Sequence, residues 1–268
     1  MRDELDLAAG RAAFGEDPAG YIEARPPYPE ALYARLVART GLRPGTAVLE
    51  IGPGPGLATA RLLELGADPL LAIEPDARLA GYLRLAFPQA GLTIINRTLE
   101  AAELPADRFD LGVAATSFHW LEQASALAKV RRALRPDGWW AMWWTNFGAE
   151  RGSDPFQDAT HHLFAETPRA PSHGRRGGPS FAMDHEARLA DLAGAGFVEA
   201  EVDVWPWTIT LETEKLVALY ATFSPIQALP EPKRAVFLKG LAEVADRHFG
   251  GGAERSFSSV LYTARRPG

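Results

Sequence analysis

From Thr46 to Trp144 short apolar runs alternate with amphipathic stretches, the pattern left by strands buried on both faces and by helices that pack on them. The apolar runs at 47–51, 70–74, 92–96, 109–114 and 139–144 predict five strands. Between them the stretches 57–65, 76–87 and 122–134 predict helices, with Asp76 a natural N-cap. The turn Arg135-Pro136-Asp137-Gly138 ends the last of these helices and leads the chain into the fifth strand. Repeated strand–helix–strand units of this kind build a parallel sheet covered on both faces.

The flanks read differently. Residues 28–40 predict an amphipathic helix, entered through the stiff segment Arg25-Pro26-Pro27-Tyr28-Pro29. Beyond Trp144 the alternation stops. A helix is expected over 154–166, a Gly/Pro/Arg-rich loop over 169–179, a helix over 186–195 and a strand over 198–204. Residues 212–249 carry two more helical patterns broken by Pro225, Pro230 and Pro232, and 256–265 alternates as an edge or inserted strand. No internal repeat is present. The expectation is one α/β domain over 1–268: an N-terminal flap and helix at 1–40, a core at 41–145, and insertions at 150–185 and 205–250 that form a helical lid.

A chain of 268 residues, 47% hydrophobic and 23% charged, buries a core without metals or disulfides. No run of about 20 apolar residues is available to span a bilayer. The absence of cysteine excludes thiol catalysis, disulfides and thiolate metal sites. A net charge of -6 argues against general nucleic-acid binding. The segment Met1 to Asp6 is charged and lacks the apolar stretch of a secretion signal, so a cytoplasmic protein is expected.

The chemistry concentrates where the first strand ends. Ala47-Val48-Leu49-Glu50-Ile51 runs into Gly52-Pro53-Gly54-Pro55-Gly56, and Glu74 closes the next apolar strand. Glycines at every second position let the backbone turn sharply and present its N–H groups with no Cβ in the way. An acid at the end of the second strand suits a ribose. A dinucleotide fingerprint would read G-x-G-x-x-G/A, but position 57 is leucine.

The spacing Glu50-x-Gly52-x-Gly54-x-Gly56 resembles instead the first motif of class I S-adenosylmethionine-dependent methyltransferases. Glu74-Pro75-Asp76 is similar to that family's second motif, whose acid accepts hydrogen bonds from both ribose hydroxyls. Thr98-Leu99-Glu100 resembles the stretch bordering the adenine. Phe109-Asp110-Leu111 through Ala115-Thr116-Ser117-Phe118-His119-Trp120 is similar to the fourth strand and its loop, and Leu134-Arg135-Pro136-Asp137-Gly138 to the usual turn, apart from Asp137, where glycine is commoner. These motifs cover roughly residues 20 to 145. Within the superfamily, the segment from Tyr21 to Tyr28, the glycine loop and Phe118-His119-Trp120 look most like the type 11 small-molecule methyltransferases, relatives of the ubiquinone and menaquinone C-methyltransferases. The resemblance implies a seven-stranded, mostly parallel Rossmann-like sheet, S-adenosylmethionine as methyl donor and S-adenosylhomocysteine as product. The type 11 likeness implies a small-molecule acceptor, while the acidic net charge and the lack of a long apolar run speak against a nucleic-acid or membrane partner.

The cofactor residues expected on these grounds are Tyr21, Arg25, Glu50, Gly52, Gly54, Gly56, Glu74, Pro75, Leu99, Glu100 and Thr116. Tyr21 and Arg25 either close over the cofactor as a flap or pack as surface residues. His119 is either a general base for an O- or N-acceptor or a structural residue packed between Phe118 and Trp120. His161-His162 has no convincing third metal ligand and reads as helix surface. Arg169, Arg175 and Arg176 read as solvated loop residues. The enzyme rival is a nicotinamide-dependent oxidoreductase on a similar sheet, and the non-catalytic one is an S-adenosylmethionine-binding protein.

Overall fold

A computed structural model describes residues 4–6, 14–88, 91–148 and 154–268. Residues 1–3 and 7–13 of the expected flap, and 150–153 of the expected lid, lie outside the described residues. Five strands, β1 (Thr46–Ile51), β2 (Ala67–Ile73), β3 (Leu92–Ile95), β4 (Phe109–Ala115) and β5 (Leu134–Phe147), pair in parallel. The last two, β6 (Val198–Glu212) and β7 (Gly252–Arg265), form an antiparallel hairpin. The sheet has seven strands in the order β3-β2-β1-β4-β5-β7-β6, so β7 is inserted between β5 and β6 rather than lying at the edge. The order reverses at β1 and β4, which opens a crevice beyond their carboxyl ends, where ligands of open α/β sheets bind.

All six residues of β1 are buried, including Glu50, as a central strand covered on both faces requires. On one face Leu32, Tyr33 and Leu36 of α2 (Glu30–Thr40) and Ala58 and Leu62 of α3 (Leu57–Glu64) pack against Val48, Val113 and Trp143. On the other, Leu127 and Val130 of α5 (Gln123–Ala133) and Leu192 of α7 (His185–Gly194) cover Leu49, Ala114 and Trp140. The helix α4 (Ala77–Ala86) starts at Asp76, whose side chain accepts from the N–H groups of Arg78 and Leu79.

Three features depart from the expected elements. A helix α1 (Pro18–Ala24) precedes α2, capped by Asp17, which accepts from Gly20 N–H with Pro18 at the first helical position. The segment expected as one helix over 154–166 is α6 (Pro155–Thr160) followed by a 3₁₀ stretch, His161–Glu166. The hairpin runs well past the expected Val204, with Glu212 paired to Gly252. Between its strands lie α8 (Thr213–Ala221), the single turn α9 (Ser224–Gln227) and α10 (Glu231–Phe249). Phe237, Leu241 and Ala245 recur every four residues along α10 and join Phe156, Leu216, Tyr220 and Ile226 in a separate small core. Buried beside that core, Arg255 is paired with Asp154, the N-cap of α6.

Candidate active site

The crevice at the switch point is a cleft of about 900 Å³, open to solvent on one side. Its floor is the glycine loop. Gly52, Gly54 and Gly56 all have positive φ, +65°, +59° and +101°, a region costly for side chains bearing a Cβ. The three glycines serve different ends. A Cβ on Gly52 would lie 2.7 Å from Ser117 Cβ, and one on Gly56 2.7 Å from the Phe87 ring, whereas at Gly54 nothing lies within 4 Å. Gly54 therefore keeps the cleft open, while Gly52 and Gly56 let the β4 loop and α4 approach. Ser117 donates to Ile51 O at 2.5 Å, tying the β4 loop to the end of β1.

Glu74 forms the adjoining wall and is 4% exposed. One carboxylate oxygen accepts from Asp76 N–H at 2.9 Å, the other from Gly54 N–H at 3.0 Å. Burial pushes its pKa up to about 7, against the opposing pull of those two N–H donors. A carboxylate offers about four lone-pair sites, so one on each oxygen remains for a ligand. Pro75, Leu79, Thr98 and Leu99 continue this wall as an apolar slot.

The opposite wall comes from the β4 loop and the N-terminal segment. Thr116 has φ +53°, unusual for a β-branched residue. Its hydroxyl is 2.7 Å from the Tyr28 hydroxyl, which fixes both over the glycine loop. Burial raises the Tyr28 pKa well above the ordinary phenol value, so this hydroxyl stays protonated. Phe14 meets Tyr21 and Trp120 edge-on, with both centroid separations 6.0 Å, and all three rings line the cleft.

Of the residues singled out from the sequence, Tyr21, Gly52, Gly54, Glu74, Pro75, Leu99 and Thr116 meet in the cleft. The other five do not line it. Gly56 serves the packing of α4, as above. Glu50 is fully buried on β1, where one carboxylate oxygen accepts from Thr59 at 2.8 Å and burial lifts the pKa to about 8. Glu100 is exposed, and its carbonyl accepts from Lys129 at 2.9 Å. Arg25 turns away toward Thr222, whose hydroxyl accepts from its Nε at 2.8 Å.

His119 lies outside the cleft lining. It lies on a 3₁₀ turn, 8% exposed, and its Nδ1 accepts from the Trp144 indole N–H at 3.0 Å. Trp120, Trp144 and Phe181 surround the ring. Burial, with a smaller contribution from His173, lowers its pKa to about 3. With Nδ1 engaged and the ring enclosed by Trp120, Trp144 and Phe181, the geometry is that of the structural alternative. Among the described residues no group of three or more His, Cys, Asp or Glu is placed to hold a metal.

Phe14, Tyr28, Ser117, Trp120 and Leu121 also line the cleft, and sequence reasoning did not single them out as ligands. Tyr28 and Trp120 stand inside motifs already noted, but nothing in the local pattern tells a pocket aromatic from a core one. Tertiary approach decides it.

A seven-stranded sheet with an inserted antiparallel strand, a glycine loop after β1 and an acid after β2 define a class I methyltransferase architecture. Residues 49–142 match the family model described as a methyltransferase domain. A methyltransferase-like protein of Schizosaccharomyces pombe is 26% identical over 245 residues, 91% of this chain and 89% of that protein. Among solved structures, a type II methyltransferase assignment from Anaeromyxobacter dehalogenans shares the fold at a TM-score of 0.62 and 20% identity, covering 91% of this chain and 98% of that one. So does a phosphoethanolamine N-methyltransferase of Haemonchus contortus in complex with S-adenosyl-L-methionine, at 0.52 and 14%, covering 98% and 57%. Residues 49–142 carry a methyltransferase domain, and the chain is an S-adenosylmethionine-dependent methyltransferase.

Proposed function

We propose that the cleft holds S-adenosylmethionine with its ribose on Glu74, its adenine in the slot of Leu79, Thr98 and Leu99, and its amino-acid end over Gly52 to Gly54. A small-molecule acceptor enters on the side of Tyr21, Tyr28 and Trp120. The observation that carries this is the Glu74 carboxylate. Its two backbone bonds leave one acceptor site on each oxygen, which matches the two donors of a vicinal diol.

The donor supplies a sulfonium methyl, whose bond to sulfur breaks as the bond to the acceptor forms. The sulfur keeps the electron pair, and any acceptor proton passes to solvent. The residues of the chain align and exclude water. Tyr28 and Thr116 hold each other rigid at the mouth of the glycine loop, Phe14, Tyr21 and Trp120 present aromatic faces to that space, and alignment of this kind lowers a displacement barrier by several kcal/mol, ~7 to 11 in the best intramolecular cases. Aromatic faces also tolerate a sulfonium cation.

In this reading the whole chain is one domain, with the N-terminal segment and the helical insertions as a lid. The acidic net charge of -6 favours a small molecule over nucleic acid. No helix among the described residues is long and apolar enough to cross a membrane, and a cytoplasmic location is the working assumption. Calorimetric titration with S-adenosylhomocysteine, with NADH as comparator, tests the site. Glu74→Ala weakens the first by about 1.5 to 3 kcal/mol for each bond lost. Unchanged affinity in that variant removes the ribose from Glu74.

A further inference from the structure

Arg25 sits where three parts of the molecule converge. Its guanidinium carbon is 5.1 Å from the ring centre of Tyr21 on α1, 4.9 Å from that of Phe147 at the end of β5, and 4.9 Å from that of Phe223 in the insertion. It donates from Nε to the Thr222 hydroxyl at 2.8 Å and from a terminal nitrogen to the Thr222 carbonyl at 3.3 Å. Thr222 is the C-cap of α8, so a cation here also meets the negative end of a helix. Phe147 and Phe223 touch each other at 4.7 Å between centroids, which closes the cage around the guanidinium.

Tyr21, one helical turn before Arg25, shares the Arg25 cage on one side and lines the cleft on the other. Two further pairs join the N-terminal segment to the insertion, Lys215 with Glu23 at 3.2 Å and Arg234 with Glu16 at 4.0 Å. The first is exposed and the second is at the limit of ion-pair distance, so both contribute little. The half-buried Arg25 contact, with two hydrogen bonds and three rings, is the strong link.

We propose that Arg25 is a positioning residue. It does not touch the donor, but through Tyr21 it fixes the N-terminal wall of the cleft and locks that wall to the helical insertion, so that α1 and α8 move as one cover. The proposal rests on the reading of the cleft as the donor site. It separates Arg25 from the cofactor contacts expected of it and gives the divergent insertion a direct mechanical hold on donor binding.

The test is a double-mutant cycle read by calorimetry with S-adenosylhomocysteine, alongside hydrogen exchange of residues 17–25 in the full chain. Arg25→Ala and Tyr21→Ala each weaken binding roughly tenfold, and the double variant is no more than about twice as weak as either, because both remove one unit. Arg25→Lys, which keeps the charge but not the fork, restores binding only in part. Thr222→Val, which leaves every cleft residue in place, speeds exchange in α1. Additive effects of Arg25→Ala and Tyr21→Ala, or a Thr222→Val variant with unchanged exchange in α1, overturn the proposal. If the wild-type chain binds no S-adenosylhomocysteine, the donor reading fails, and exchange in α1 alone judges the latch: faster in both Arg25→Ala and Thr222→Val upholds it, unchanged sinks it.

Discussion

Glu74 and Gly54 are bonded to each other across 20 residues of sequence, carboxylate oxygen to backbone N–H at 3.0 Å. The acid after β2 and the loop after β1 are thereby one preformed unit, with the Glu74 carboxylate holding the Gly54 turn at the floor of the cleft. Preorganisation of this kind reduces what a ligand must order on binding.

The first consequence is a pH dependence. Burial holds the Glu74 pKa at about 7, and the ionised carboxylate accepts the ribose hydroxyls more strongly, and at more sites, than the protonated carboxyl does. Affinity for S-adenosylhomocysteine therefore approaches its full value toward pH 8 and falls as pH drops through 7, by up to about tenfold between pH 8 and pH 6. Glu74→Gln should flatten that profile. Calorimetry at three pH values checks both, and a wild-type affinity constant from pH 6 to pH 8 refutes the assignment.

The glycines separate binding from stability. Gly54→Ala puts a methyl into open cleft space at φ +59°, with about 1 to 2 kcal/mol of backbone strain. It should cost donor affinity more than melting temperature. Gly56→Ala drives a Cβ to 2.7 Å from the Phe87 ring at φ +101°, a clash inside the fold. Its melting temperature should fall clearly further than that of Gly54→Ala, as thermal unfolding with and without S-adenosylhomocysteine will show.

The two halves of the chain differ in how far they can be read from sequence, for physical reasons. Strands β1 and β4 announce themselves because they are buried on both faces and so leave continuous apolar runs, and the shorter apolar runs of β2 and of the half-buried edge strand β3 follow at the same spacing. Gly52, Gly54 and Glu74 are legible because ligand sites of such sheets lie at strand ends, where a special backbone or an acid stands out. The hairpin beyond Val204 is hidden by Trp205-Pro206-Trp207, since proline reads as a breaker. An edge strand tolerates it, and Pro206 pairs with Ser258. The helix α1 had its signals in Asp17 and Pro18, but at seven residues it carries too little periodicity to show. Arg25 and His119 were visible as residue types. Their partners, Thr222 and Trp144, lie 197 and 25 positions away, and only the fold brings them together.

Glu50 makes a stability prediction of the opposite kind to Glu74. Buried on β1 with a pKa of about 8, it keeps its proton in the folded chain at pH values where the unfolded chain has lost it. The stability tied to that proton is complete at low pH, declines above the unfolded carboxyl value near 4.5, and is gone once pH rises through about 8. Glu50→Gln keeps an acceptor for Thr59 and cannot ionise. Urea unfolding should therefore show the variant close to wild type at pH 5 and more stable than it at pH 9. A variant less stable than wild type at pH 9 would mean that the fold favours the Glu50 carboxylate instead of penalising it, and that its pKa is not raised by burial.

His119 decides whether the cleft contains a base. Its Nδ1 accepts the hydrogen bond of the Trp144 indole N–H, in a wall of rings. Removing that acceptor strands a buried N–H, which costs about 1 to 3 kcal/mol before any cavity is counted. His119→Ala should accordingly lower the urea midpoint while leaving the S-adenosylhomocysteine affinity within about twofold, since the imidazole does not line the cleft. His119→Gln, which keeps an acceptor of similar reach, should recover part of the stability. The pH profile of methyl transfer gives the sharper test. A base at this position would add a limb that disappears in His119→Gln, whereas a neutral structural histidine with a pKa near 3 leaves the profile between pH 6 and pH 9 unchanged in shape.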